Sequence, residues 1–106
     1  MIEMISFKAG KQILDTCPGS VLLDVRTEDE YAIEHAAGAV LLPLEDIDDT
    51  DVWAILQNMD APVLLYCRTG RRAILAAAKL DELGYTKIYS LGGLNGWPYG
   101  MEHGLL

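Results

Sequence analysis

Val63-Leu64-Leu65-Tyr66 restricts the fold more than any other stretch of this chain. Four consecutive bulky apolar residues read as a strand buried on both faces, and Ala73 to Leu83 after it reads as a buried helix. Between them lies Cys67-Arg68-Thr69-Gly70-Arg71-Arg72. A strand, a short loop and a helix make an anion site, because loop amides and the first helical turn point free N–H groups at one spot. The positive end of the helix dipole stands behind them. A cysteine placed there is favoured as thiolate, its nucleophilic form. Only five other Lys or Arg occur in the chain (Lys8, Lys11, Arg26, Lys79, Lys87), so positive charge is concentrated at this loop. Arginines at a helix start oppose the dipole, which is unfavourable unless an anion visits.

The rest of the chain repeats the alternation of strand and helix. Ile2 to Ser6 reads as a short edge strand, with Ser6 as cap of a helix from Phe7 to about Asp15. Pro18-Gly19 breaks the chain before a buried strand, Val21 to Val25. Thr27-Glu28-Asp29-Glu30 spells a capping box and starts a helix through Ile33. Val40-Leu41-Leu42 reads as a third strand, and Asp51 to Met59 as a helix with Val52, Ile55, Leu56 and Met59 on one face. Lys87 to Leu91 is the last predicted strand, followed by Gly92-Gly93-Leu94-Asn95-Gly96-Trp97. The pattern predicts one α/β domain over residues 1–106, with a central, mostly parallel sheet of about five strands and helices on both faces.

Charge and composition exclude several classes of function. A formal charge of -8 argues against nucleic acid or an anionic membrane surface as partner. Glu45, Asp46, Asp48, Asp49 and Asp51 crowd into a short run, read as a solvated loop and helix start rather than a docking patch for a basic partner. No apolar run approaches the roughly 20 residues of a membrane span. Met1-Ile2-Glu3-Met4 shows no signal-peptide pattern, which makes the cytoplasm the expected location. His35 and His103 are the only histidines and no His and Cys cluster has zinc spacing, so no metal site is expected. Cys17, in a turn before the first buried strand, is expected to be free at the sheet edge opposite Cys67, the alternative being a redox pair.

The Cys67 loop resembles the active-site loop of the rhodanese family of sulfurtransferases, in which a Cys opens a six-residue loop. Its form Cys-Arg-x-Gly-x-Arg is most similar to the thiosulfate-using members. Two further stretches carry the resemblance, which spans roughly residues 20 to 98. Asp24-Val25-Arg26, Glu30-Tyr31 and His35-Ala36-Ala37-Gly38-Ala39 resemble Asp-Val-Arg, Glu-aromatic and Gly-His-Ile-x-Gly-Ala, with Glu34 where Gly is usual and Ala36 where Ile is usual. Gly92-Gly93 through Trp97 resembles the closing Leu-x-Gly-Gly-x-x-x-Trp.

The resemblance implies a rhodanese-like three-layer sandwich and transfer of a sulfane sulfur through a persulfide on Cys67. Arg68, Thr69, Gly70, Arg71 and Arg72 then form the substrate-binding loop, although helix geometry does not let all three arginines face inward. Asp24, Arg26, Glu30 and His35 are read as a polar network that fixes the loops. Gly92 and Gly93 permit a close backbone approach, and Trp97 is read as closing the core rather than lining the pocket. Donor and acceptor would be a small anion such as thiosulfate and a thiol or cyanide-like nucleophile, with a sulfur-accepting protein as a further candidate. No cofactor or general base is required. Protein tyrosine phosphatases place five residues between Cys and Arg, whereas Arg72 follows Cys67 after four, which suits one terminal sulfur better than a phosphoryl group. The alternatives are a sulfur-carrier or partner-binding module, and a phosphatase or arsenate reductase of the same fold.

Overall fold

A computed structural model describes residues 1–48 and 52–105. Among the described residues seven strands and four α-helices follow one another as β1 (Ile2–Met4), α1 (Phe7–Thr16), β2 (Val21–Asp24), α2 (Glu28–Ile33), β3 (His35–Ala36), β4 (Val40–Leu41), α3 (Val52–Ile55), β5 (Val63–Cys67), α4 (Arg71–Glu82), β6 (Ile88–Gly93) and β7 (Met101–Glu102). Five of the strands make one sheet in the order β1-β6-β5-β2-β4, and every neighbouring pair in it is parallel. The expected α/β sandwich is therefore present, with β5, the strand that ends in Cys67, in the middle.

Alternation along the strands sorts the core into two layers. Leu23, Val63, Leu65 and Cys67 face α3 and α4 and are covered by Val52 of α3, by Leu56 just beyond it, and by Ala73, Ala76, Ala77 and Leu80 of α4. Leu22, Leu64 and Tyr66 face the other way, under Phe7, Ile13 and Leu14 of α1 and Tyr31 of α2. Leu23, Leu64 and Leu65 are wholly buried, so truncating any of them to Ala costs about 2–5 kcal/mol. Among the described residues no helix is long and apolar enough to cross a membrane.

Local signals placed most helix ends correctly. Ser6 accepts a hydrogen bond from the Ala9 amide at 3.1 Å, and Thr27 and Glu30 close a complete capping box. At the end of α4 the Gly84 amide donates to Asp81 O and the Tyr85 amide to Leu80 O, the paired bonds of a Schellman turn.

Four features of the fold differ from the sequence reading. Helix α4 begins at Arg71, not Ala73, so Arg71 and Arg72 belong to its first turn rather than to a loop. Strand β6 runs on through Gly92 and Gly93, with a bulge that sets Tyr66 opposite Gly92 and Cys67 opposite Gly93. Helix α3 stops at Ile55 instead of Met59. The Leu56 carbonyl is taken by the Tyr85 hydroxyl at 2.6 Å and the Met59 carbonyl by the Thr86 amide at 3.0 Å, while the Asn58 side chain turns the chain by accepting from the Asp60 amide. The predicted start of that helix at Asp51 lies outside the described residues. Finally, β3 and β7 pair antiparallel as a small second sheet, which no periodicity announces because each is two residues long.

The acidic run is only partly a free surface. Glu45 and Asp46 sit exposed in a 3-10 turn, and Asp48 is paired with Lys79 of α4 at 2.7 Å. Asp49 and Asp51 lie outside the described residues.

Candidate active site

Cys67 ends the central strand and is fully buried. Its Sγ accepts a hydrogen bond from the Gly70 amide at 2.9 Å, and its carbonyl accepts from the Leu94 amide at 2.9 Å. Gly70 is the N-cap of α4 at φ 102, a left-handed conformation that a residue with a Cβ resists. Having no side chain, it leaves the first-turn N–H groups without a side-chain cap. The expected geometry, a cysteine sulfur at an uncapped helix start, is present, with one amide already bonded to the sulfur.

The closing glycines hold this loop from the other side. A Cβ added at Gly93 would stand 2.6 Å from the Arg68 carbonyl oxygen, and one at Gly70 would stand 3.4 Å from Gly92 Cα. The two backbones thus touch directly, as Gly92-Gly93 led us to expect.

The three arginines have different fates. Arg72 is clamped by Glu30 in a fork, Nη1 to Oε1 at 2.6 Å and Nη2 to Oε2 at 2.9 Å. It therefore ties the start of α4 to the start of α2 rather than reaching inward. Arg71 is exposed on the first turn of α4. Arg68 borders an open depression with two lobes, of about 280 and 370 Å³, that share Arg26, Glu34 and Arg68. Leu94, Asn95, Gly96, Trp97 and Met101 complete the first lobe, and Glu30 with Ile33 the second. Another cavity of about 370 Å³ lies at the opposite ends of β2 and β5 beside Val21 and Val63, but no titratable side chain lines it.

The Glu30 clamp has a pH signature. Hydrogen bonds from Arg72, joined by those from Thr27, hold the Glu30 carboxyl down at about 2 from an ordinary 4.5. A depressed carboxylate stabilises the fold above its unfolded value, and that contribution is lost as pH falls through the folded value. Glu30→Gln should therefore lower the urea midpoint near neutral pH, by the equivalent of about 1–2 kcal/mol for a partly solvated pair. The gap between wild type and variant should close between pH 4.5 and about 2. A gap that persists unchanged at low pH would show that the clamp acts through packing and not through charge.

Behind the loop lies the polar network expected of Asp24 and Arg26. Arg26 Nη2 donates to Asp24 Oδ2 at 2.6 Å and to the Glu34 carbonyl at 2.6 Å, and Arg26 Nε donates to both Asp24 oxygens. The sequence reading missed Tyr66. Its hydroxyl donates to Asp24 Oδ2 at 2.6 Å and accepts from the Ala36 amide at 3.0 Å, which joins the residue before Cys67 to β3. Burial, and then the bond to Asp24, push the Tyr66 phenol well above its ordinary range. An aromatic in a buried strand reads as core, so only its position next to Cys67 could have drawn notice.

His35 and Trp97 serve the scaffold. His35 stacks on Tyr31 with ring centroids 3.6 Å apart, and its Nδ1 lies 2.8 Å from the Tyr31 carbonyl. Trp97 packs edge-on against Phe7 and Tyr99 in the layer under α1, and its buried edge also borders the first lobe of the depression. Core closure and pocket lining are thus one role. Cys17 is a free thiol capping the end of α1, before β2 begins. Because β2 and β5 are parallel, that places it at the other end of the sheet from Cys67.

Comparison with known proteins agrees with this architecture. The Rhodanese-like domain family matches residues 7–98. Thiosulfate sulfurtransferase PspE of Escherichia coli is 36% identical over 72 residues, 68% of this chain and 68% of that protein. A tRNA sulfurtransferase of Desulfurococcus amylolyticus is 37% identical over 91 residues, which are 84% of this chain but only 17% of the longer protein. Among solved structures, a rhodanese with anions from E. coli superposes with a TM-score of 0.75 at 29% identity, covering 80% of this chain and 99% of that one. The strand that delivers Cys67, the glycine-capped helix after it and the match over most of its length make this chain a member of the Rhodanese-like domain family of sulfurtransferases.

Proposed function

We propose that the chain transfers a sulfane sulfur from a small anionic donor of the thiosulfate type, through a persulfide on Cys67. The observation that carries this reading is Cys67 Sγ bonded to the Gly70 amide at the uncapped start of α4, where a negative charge on sulfur is favoured. The Cys67 thiolate attacks the outer sulfur of the donor and a new S–S bond forms. The donor's own S–S bond breaks, and sulfite leaves with the electron pair. An acceptor nucleophile then attacks the outer sulfur of the persulfide, and the Cys67 thiolate is released. The charge stays on sulfur throughout, so no general base is used.

Arg68 is the arginine placed to meet the donor, because Arg72 is held by Glu30 and Arg71 borders neither lobe of the depression. Cys67 is fully buried, so the donor reaches its sulfur only as part of the surrounding loop, which carries the exposed Arg68 and Thr69, shifts. The relative named a thiosulfate sulfurtransferase supports the donor class. The expected result is a gain of one sulfur in intact mass after incubation with thiosulfate, reversed by a thiol. No mass gain, together with hydrolysis of an aryl phosphate, would overturn sulfur transfer in favour of phosphatase chemistry.

A further inference from the structure

Four charged residues, Arg26, Glu30, Glu34 and Arg68, border the depression, which meets Cys67 through its chain neighbour Arg68 and through Leu94, whose amide donates to the Cys67 carbonyl. Two of them are already neutralised. The Arg26 guanidinium is matched by Asp24, and the Glu30 carboxylate by Arg72. Arg68 and the Glu34 side chain are both exposed, and among the described residues neither is held in a hydrogen bond or ion pair. The Glu34 backbone does have a fixed job, since its carbonyl accepts from Arg26 Nη2 at 2.6 Å and so anchors the residue at the rim. What remains is one unmatched cation and one unmatched anion bordering the same two lobes, with the Asn95 amide in the first. Glu34 is also a position where this chain departs from the pattern it otherwise resembles, which makes the feature its own.

We propose that this depression is the acceptor site and that its free charge pair, Arg68 and Glu34, selects amino-acid-type thiols, with the acceptor carboxylate at Arg68 and its ammonium at Glu34. This rests on the persulfide reading above. A simple neutral thiol uses neither charge, and cyanide or a thiol with one charge uses at most half of the pair. The lobes, about 280 and 370 Å³, are large for a two-atom nucleophile and suit a molecule of amino-acid or short-peptide size. In the step itself the acceptor thiol loses its proton to solvent and its thiolate sulfur bonds to the outer sulfur of the persulfide. The bond from that sulfur to Cys67 Sγ breaks with its electrons going to Sγ, and the acceptor departs as a persulfide.

The test starts from protein preloaded with thiosulfate, freed of excess donor and verified as persulfide by intact mass. Its discharge is then timed with four thiols: cysteine, 3-mercaptopropionate, cysteamine and 2-mercaptoethanol, each rate normalised to thiolate concentration. Cysteine should be fastest and mercaptoethanol slowest, with each matched charge contributing about two- to fivefold, as exposed ion pairs do. Arg68→Gln should erase the preference for the carboxylate alone, and Glu34→Gln the preference for the ammonium alone. A merely structural role would slow all four thiols together and leave their ratios intact. Persulfide that forms normally but discharges at equal normalised rates to all four thiols would overturn the acceptor assignment and leave the sulfur-transfer reading standing. Failure of the wild-type persulfide to form would overturn both, whereas slower loading of Arg68→Gln alone follows from its place at the donor and is met by longer incubation.

Discussion

Replacing Cys67 by Ser should remove sulfite release from thiosulfate almost completely, by at least about a thousandfold, while Cys17→Ser stays within about twofold of wild type. The reason is electronic and positional. An alcohol does not ionise at neutral pH, so the Gly70 amide and the uncapped start of α4 have no anion to stabilise. The variant should still fold, since Oγ can accept the same amide hydrogen bond, with a loss of about 1–3 kcal/mol for a hydroxyl in a fully buried position. Cys17 lies at the far end of the sheet and touches none of this. Stopped-flow sulfite detection beside a urea titration separates the two effects. Comparable losses of turnover in both variants would revive a redox pair and end the single-cysteine mechanism.

Gly93→Ala is expected to be the next most damaging change, although it alters no polar group. Its new methyl would lie 2.6 Å from the Arg68 carbonyl oxygen, 3.3 Å from Thr69 Cα and 3.4 Å from the Arg68 carbonyl carbon. All three are backbone atoms, so no rotamer change relieves the contact. Either the loop after Cys67 moves or β6 does, and the exposed loop is the softer of the two. A displacement approaching 1 Å at a reacting group costs about a hundredfold in turnover, whereas overpacking costs about 1–3 kcal/mol in stability. Thiosulfate turnover should therefore fall about a hundredfold in a protein that still unfolds cooperatively. Turnover within about threefold of wild type would show that the contact between the glycine pair and the loop does not position Cys67.

The sequence revealed the parts of the site that are local and concealed those that are not. A strand, a cysteine and a glycine-capped helix are neighbours in the chain, so Val63 to Leu83 could be read from apolar runs and turn chemistry alone. The Thr27 capping box was legible for the same reason. The partner of Arg72 was not, because Glu30 comes from another helix and no periodicity links the two positions. Tyr66 was hidden by its type, since an aromatic in an apolar run signals packing and not a hydrogen bond to a carboxylate. The two-residue strand β7 is too short for any period to show, yet its Met101 borders the depression. Helix α3 was overrun because its last carbonyls are claimed by Tyr85 and Thr86, residues that the window around it does not contain.

The place of β5 in the middle of the sheet would set the lifetime of any sulfur that Cys67 carries. Amides of a central strand, bonded on both sides, exchange with solvent only when much of the molecule opens, whereas edge strands such as β1 and β4 fray at little cost. The base that carries Cys67 is thus in the slowest-exchanging part of the protein, and the short segment beyond it, Arg68 and Thr69, is on the surface. On the persulfide reading proposed above, sulfur held at that boundary would be shielded from water and stray oxidants by the global stability of the fold, while access to it would run through the exposed segment after Cys67. Storage and release then run on separate clocks, and a substitution that loosens β1 or β4 should shorten neither.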